Sequence, residues 1–376
     1  MADTDGVQCA DAATLYVCPE TRAPLALEGD SLAAGAGGRR YPIHHGVPDF
    51  RTAPPVETPP GTEKLEQLNE SSRERGWEAA LAMVYADNAD LRRYIADPRR
   101  SMYLNLLPLA PSSVVLEIGP GLGQFTSQIA RQCRFVYALE VVMGQAMFVA
   151  QRCEQSGAGN VSVACGGDDC RLPYCSESID LVVCNLVFEW CASRDRNESP
   201  EQGQERLLKE LARVLKPGGV LYLSTKNRYA LSYLLGRPDE HVYGMRFGNA
   251  LPRWLMRAAL KRRGKDRPAG LLHSHTELNR MLTCSGFTDV KSFWAAPEMR
   301  FPDRYIPNEA DAIRAARREG GFAQGHTRLT RLLMPFIPPR LVKHFSPGLA
   351  FLVRKAAGGQ DKREVADGSG AMQRSA

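Results

Sequence analysis

Between residues 114 and 224 the chain alternates short apolar runs with stretches of helical period. The first run begins at Val114 and closes on Glu117, followed by the turn Gly119-Pro120-Gly121-Leu122-Gly123 and a helical pattern over 124–133. RFVYAL at 134–139 closes on Glu140, a third run covers 160–165, and IDLVVCN fills 179–185. A helix predicted over 205–215 leads through Lys216-Pro217-Gly218-Gly219 into a fifth run at 220–224. Runs rich in Val, Leu and Ile and separated by helices predict a parallel sheet covered on both faces. Two further strands are predicted at 288–294 and 349–354, the first after a helix over 275–285 that Thr276-Glu277 opens and Gly286 closes. Long insertions at 226–272 and 297–346 interrupt this second half.

Upstream the pattern changes. Residues 13–50 carry short apolar runs between Pro and Gly, which suggests a small β-rich module at 1–50. Pro54, Pro55, Pro59 and Pro60 make 51–61 a stiff linker. Residues 62–110 read as a helical lead-in, with Trp77, Tyr85, Tyr94 and Tyr103 spaced for buried faces. The segment 111–356 is expected to form one large domain, and the polar tail 357–376 to be disordered.

Composition narrows the class. A hydrophobic content of 44% with 24% charged residues is that of an ordinary globular protein. No apolar run reaches the ~18–20 residues that span a bilayer, and 1–16 lacks a signal-peptide pattern, so a cytoplasmic location is expected. The ten cysteines contain no CxxC pair, and no metal site is predicted. The net charge of +6 is concentrated: 246–267 holds eight Lys/Arg and one Asp, leaving the remainder near neutral. That argues against nucleic acid as a partner and for one basic patch. Within it, Leu251, Trp254, Leu255 and Ala258 face Arg253, Arg257, Lys261 and Arg262, the pattern of a helix resting on an anionic membrane or gripping a lipid-linked or phosphorylated molecule. Residues 328–345 repeat the mixture.

Open α/β sheets bind ligands beyond the carboxyl ends of their strands, so strand-end residues are the candidates. Glu117 and Glu140 end the first two strands, and a carboxylate at the second position accepts from both hydroxyls of a ribose. That device serves dinucleotides as well. The spacing of Gly119, Gly121 and Gly123 is GxGxG, not the GxGxxG of a pyrophosphate site. Glu117, two residues before the first glycine, would repel a phosphate and suits an ammonium or sulfonium. Asp168 and Asp169, after the third strand, suit an exocyclic adenine amine. Tyr222 and Lys226 form a YxxxK pattern, but on a strand, where the two groups cannot share a helix face.

EIGPGLG at 117–123, Glu140, GDDCRLPY at 167–174, SIDLVVCN at 178–185 and ELARVLKPGGVLYLS at 210–224 together resemble class I S-adenosylmethionine-dependent methyltransferases of the ubiquinone/menaquinone type. The resemblance implies a Rossmann-like seven-stranded sheet in the order 3-2-1-4-5-7-6 with S-adenosylmethionine as cofactor. It assigns Glu117, Gly119, Gly121 and Gly123 to the methionine part, Glu140 to the ribose and Asp168 to the adenine amine. Asp169 and Cys170 would flank the ring, Asn185 would lie near the sulfonium, and Phe188, Glu189 and Trp190 would face the acceptor. Residues 13–50 are similar to the zinc-ribbon-like activator domain of certain methyltransferases, but only Cys18 of its cysteine pairs remains. Glu189 and His241 are the catalytic candidates, with His273 and His275 as alternatives. The expected acceptor is a small molecule, saccharide or lipid-linked compound. A tRNA or protein acceptor and a non-catalytic scaffold are the alternatives, the first disfavoured because 185–188 lacks an NPPY-type motif.

Overall fold

In the computed structural model the described residues are 15–35, 37–53, 61–191, 198–320 and 328–357. All but the first residue of the tail expected to be disordered, and most of the Pro-rich linker, lie outside them.

The N-terminal module is a four-stranded antiparallel meander of β1 (Ala26–Glu28), β2 (Ser31–Ala33), β3 (Arg40–His44) and β4 (Val47–Pro48). Helices α1 (Thr62–Arg75), α2 (Trp77–Val84) and α3 (Ala89–Ala96) and a 3-10 segment, Pro98–Leu106, then lead into the main sheet. Next come β5 (Val114–Ile118), α4 (Thr126–Ala130), β6 (Phe135–Glu140), α5 (Met143–Gln155), β7 (Val161–Cys165) and β8 (Ile179–Asn185). After them follow α6 (Pro200–Val214), β9 (Leu215–Lys226), α7 (Leu231–Leu234), α8 (Arg253–Arg262), α9 (His275–Cys284) and β10 (Phe287–Ala296). The chain closes with β11 (Arg304–Pro307), α10 (Ala310–Arg318), α11 (Arg328–Leu333), α12 (Val342–Phe345) and β12 (Gly348–Lys355).

The main sheet has eight strands in the order β11-β10-β12-β9-β8-β5-β6-β7. The five strands from β9 to β7 run parallel, whereas β12 is antiparallel to both β9 and β10. Seven strands were expected. The eighth, β11, comes from the second insertion and pairs antiparallel with β10, covering what would be an open edge. β9 also starts five residues earlier than its apolar run, because Leu215 pairs with Ile179 before the KPGG bulge. The helix after the glycine turn is only Thr126–Ala130, shorter than the pattern over 124–133 suggests.

Alternate residues of the central strands enter opposite cores, as the two-residue period dictates. Leu116, Tyr137, Leu139, Val182, Leu221 and Leu223 pack with Leu207, Leu211, Leu278 and Phe351. Val115, Val136, Leu181, Val183 and Tyr222 pack on the other face with Tyr103, Phe125 and Ile129. The N-terminal module joins the first core through Leu15, Cys18, Tyr41 and Phe50. Backbone bonds from Val17 N to Pro173 O and from Phe50 N to Cys165 O fix it to the main sheet. Removing a ring such as Phe50 would cost ~3–5 kcal/mol, so the module is part of one folded unit. Cys18 Sγ lies 3.0 Å from the Tyr41 hydroxyl, and no group of three His, Cys, Asp or Glu able to hold a metal occurs among the described residues.

Helices α6 and α9 begin with reciprocal caps, Ser199 with Gln202 and Ser274 with Glu277. In α8, Met256 and Leu260 face inward on Val242 and Met245, while Trp254, 71% exposed, and Leu255 point outward. No helix among the described residues is long and apolar enough to cross a membrane.

Candidate functional site

A cleft of about 590 Å³ opens at the carboxyl ends of β5, β6 and β8. Glu117 lines it from the penultimate position of β5, 3% exposed, with Oε2 lacking any hydrogen-bond partner. Burial pushes its pKa up to about 7, with Thr126 pulling the other way and Glu140 adding a smaller upward push. A buried carboxylate with a spare oxygen is costly unless a cationic partner completes it.

The glycine turn explains how a ligand can come close. Gly119 has φ 66° and Gly121 φ 61°, conformations that side chains resist. A Cβ on Gly119 would lie 2.4 Å from Val187 Cγ2. Gly121 donates its N–H to Glu140 Oε2 at 3.0 Å, and Glu140 Oε1 accepts from Val141 N at 2.8 Å and Val142 N at 3.2 Å. The acid of β6 therefore holds the turn of β5. Free N–H groups at a helix start are not what the cleft offers, since α4 is short and begins three residues after Gly123.

A smaller cavity of about 190 Å³ adjoins the cleft and is lined by Gly167, Asp168, Leu172 and Cys191. Asp168 is already engaged: Thr52 N, Thr52 Oγ1 and Ala53 N all donate to it, at 2.9–3.2 Å. Asp169 pairs with Arg171, Nη1 to Oδ2 at 2.8 Å, and lines neither of these two cavities. Cys170 is buried at φ 62°. Asn185 lines the cleft and accepts from Ser224 Oγ.

Glu189 and His241 come together, but behind the cleft wall. Glu189 is 1% exposed and His241 0%, and neither lines the cleft or the smaller cavity. Phe188, expected at the acceptor, lies in the core instead. Of the 188–190 segment only Trp190 reaches the cleft, and it lines both cavities. Its ring rests on His241, centroids 4.3 Å apart. His241 Nδ1 is 3.0 Å from each oxygen of Asp239, while its Nε2 and Glu189 Oε2 are buried without partners. Burial raises the Glu189 pKa, and the neighbouring His241 opposes it. His273 and His275 are pushed down to about 4 by burial and are structural: His273 joins Gln204 and Arg253, and His275 joins Ser292.

Arg100 belongs to the cleft without any motif that marks it in the sequence. It lines the cleft at 5% exposure, with its guanidinium carbon 3.3 Å from the Tyr94 ring centroid and Nη1 donating to Tyr94 O at 2.6 Å. No carboxylate among the described residues pairs with it, and burial lowers its pKa. Nothing in the sequence sets it apart, since Arg92, Arg93, Asp97 and Arg99 lie within eight residues of it.

A parallel sheet whose first strand ends in a buried acid and a left-handed glycine turn, facing a carboxylate on the next strand, is the open α/β arrangement that places a cleft beyond the strands' carboxyl ends. Comparison narrows it: residues 116–223 match the family model described as Methyltransferase domain. Residues 116–223 thus carry a methyltransferase domain, and the cofactor this supports is S-adenosylmethionine. Over 135 residues the chain is 35% identical to the biotin biosynthesis bifunctional protein BioHC of Cellvibrio japonicus, covering 35% of this chain and 24% of that one. Over 155 residues it is 28% identical to a malonyl-[acyl-carrier protein] O-methyltransferase of Methylococcus capsulatus, covering 41% of this chain and 52% of the relative. The chain thus spans about half or less of these relatives. A solved complex of the Haloferax volcanii Trm112 methyltransferase activator with a methyltransferase aligns at a TM-score of 0.41 and 16% identity, over 77% of this chain and 97% of that one.

Proposed function

We propose that this protein transfers a methyl group from S-adenosylmethionine to an oxygen of a small-molecule or carrier- or lipid-linked acceptor. The observation that carries the reading is the orphaned Glu117 oxygen beside the glycine turn, an acceptor for a cation at the place where the cofactor's ammonium would sit. Gly119, Gly121 and Gly123 let the methionine part approach, Arg100 takes its carboxylate, and Glu140 takes the ribose hydroxyls. A carboxylate offers about four lone-pair sites, so Asp168 can add the adenine amine to Thr52 and Ala53. Asp169 orders the loop beneath the ring through Arg171, and Asn185 lies toward the sulfonium. Glu189 and His241 act from behind Trp190 as positioning residues. In-line methyl transfer mainly requires alignment, which this wall supplies.

The curated relatives named as malonyl-[acyl-carrier protein] O-methyltransferases favour a carrier-linked oxygen acceptor. The outward Trp254 and Leu255 with Lys261 and Arg262 make the 246–267 patch a peripheral contact for an anionic surface. The test is calorimetric binding of S-adenosylmethionine, followed by mass spectrometry of malonyl-acyl-carrier protein, lipid-linked saccharides and small carboxylic acids after incubation. One added methylene mass on a member of the panel is the expected result. Failure of the chain to bind the cofactor rejects the reading.

A further inference from the structure

Two cavities meet at a short list of residues. Ile118, Gly119, Glu140, Val187 and Trp190 line both the larger cleft and the smaller cavity. A cofactor whose amino-acid half lies by Glu117 and whose adenine lies by Asp168 must place its sulfonium near this junction. Glu140 accepts from three backbone N–H groups and faces the ribose in the proposed function, and Ile118, Gly119 and Val187 offer no charge. The indole of Trp190 is the one aromatic surface there, 39% exposed at the cleft. Cations are held over indole faces, the strongest of the aromatic side chains for this purpose.

The ring is held from behind. His241, fully buried, covers it at 4.3 Å and 33° between planes. Asp239 fixes that imidazole through Nδ1 and is itself held by the Tyr233 hydroxyl at 2.9 Å and by Asn249 Nδ2. Gly270 closes the stack: a Cβ there would lie 2.5 Å from His241 Cδ2 and 3.3 Å from Trp190 Cε3. Leu271 N bonds to Glu189 O at 2.8 Å, so the insertion 226–272 is tied to the backbone that carries Trp190. A charge-bearing Asp239 behind a hydrogen-bonded imidazole also keeps the stack electron-rich, which strengthens a π-face toward a cation.

We propose that Trp190 recognises the sulfonium charge of the cofactor, and that Asp239 and His241 are the positioning residues that present its face. This rests on the methyltransferase reading. The consequence is a preference for the charged donor over the neutral demethylated product, which favours product release after transfer.

The experiment is calorimetric titration of the full chain with S-adenosylmethionine and, separately, S-adenosylhomocysteine. Trp190→Leu is expected to lower the donor-to-product affinity ratio by about threefold to tenfold, the range of a partly desolvated cation–π contact. Trp190→Tyr and Trp190→Phe should fall between, in that order, and keep the assay interpretable if the leucine variant does not fold. Asp239→Asn and His241→Gln should reduce the ratio less and alter the Trp190 fluorescence response to the donor. Equal weakening of both ligands, leaving the ratio unchanged across the series, overturns the proposal. Failure of the wild-type chain to bind either ligand overturns instead the cofactor reading beneath it.

Discussion

Gly121 donates its backbone N–H to the Glu140 carboxylate at 3.0 Å, so the glycine turn after β5 and the acid at the end of β6 form one unit. The same carboxylate takes two more N–H groups from Val141 and Val142. Glu140→Ala should therefore act twice. On the proposed ribose role it removes charge-assisted bonds to the cofactor, and it also frees the turn that shapes the cleft. Cofactor affinity is expected to fall by ~2 kcal/mol or more. Calorimetry with S-adenosylhomocysteine measures this, and an unchanged affinity rejects the ribose role.

Glu117 gives a pH prediction. Its native pKa is about 7 against an ordinary 4.5. Between those values the native state keeps a proton that the unfolded chain has released, so ligand-free stability falls as pH rises through this window. Above pH 7 the whole penalty is present, up to ~3 kcal/mol. Glu117→Gln should raise the melting temperature of the ligand-free protein by several degrees at pH 8 and have little effect near pH 4. In the wild type, a cofactor ammonium needs the ionised acid, so affinity should drop about tenfold from pH 8 to pH 6. A flat affinity profile would show that Glu117 does not pair with the cofactor.

Gly119 and Gly121 share a left-handed backbone but not the same surroundings. Gly119→Ala meets Val187 Cγ2 at 2.4 Å, whereas a Cβ on Gly121 has open space. Backbone strain alone costs ~1–2 kcal/mol at either position. Gly119→Ala should therefore destabilise the fold more than Gly121→Ala, and Val187→Ala should recover part of the difference in a double-mutant comparison of denaturant midpoints.

The parallel half of the sheet was legible because its strands are buried on both faces, and such strands read as unbroken apolar runs. Glu117, Glu140 and the glycines were legible for the same reason: they interrupt those runs at the carboxyl ends. β11 was not, since Arg304–Pro307 is a four-residue edge strand without a run of its own. The state of Asp168 was hidden because its partners, Thr52 and Ala53, are more than a hundred residues away. Glu189 illustrates a further limit. Its position just past β8 is correct for a cleft residue, yet a 3-10 turn over Phe188–Trp190 points it inward and leaves Trp190 at the surface.

Arg100 supplies the most discriminating test. A buried guanidinium that faces a cleft and has no carboxylate partner is poised for an anion, and both S-adenosylmethionine and S-adenosylhomocysteine carry one. Arg100→Met keeps the length of the side chain and removes the charge. Replacing a buried charge by a well-packed apolar group is close to neutral for stability, so the ligand-free melting temperature should hold or rise. Affinity for both ligands should fall by tenfold or more, the loss of a charge-assisted pair. Decarboxylated S-adenosylmethionine provides the control: it should bind the wild type and Arg100→Met almost equally. An equal loss for the decarboxylated ligand would mean that Arg100 shapes the cleft through Tyr94 and does not bind the carboxylate.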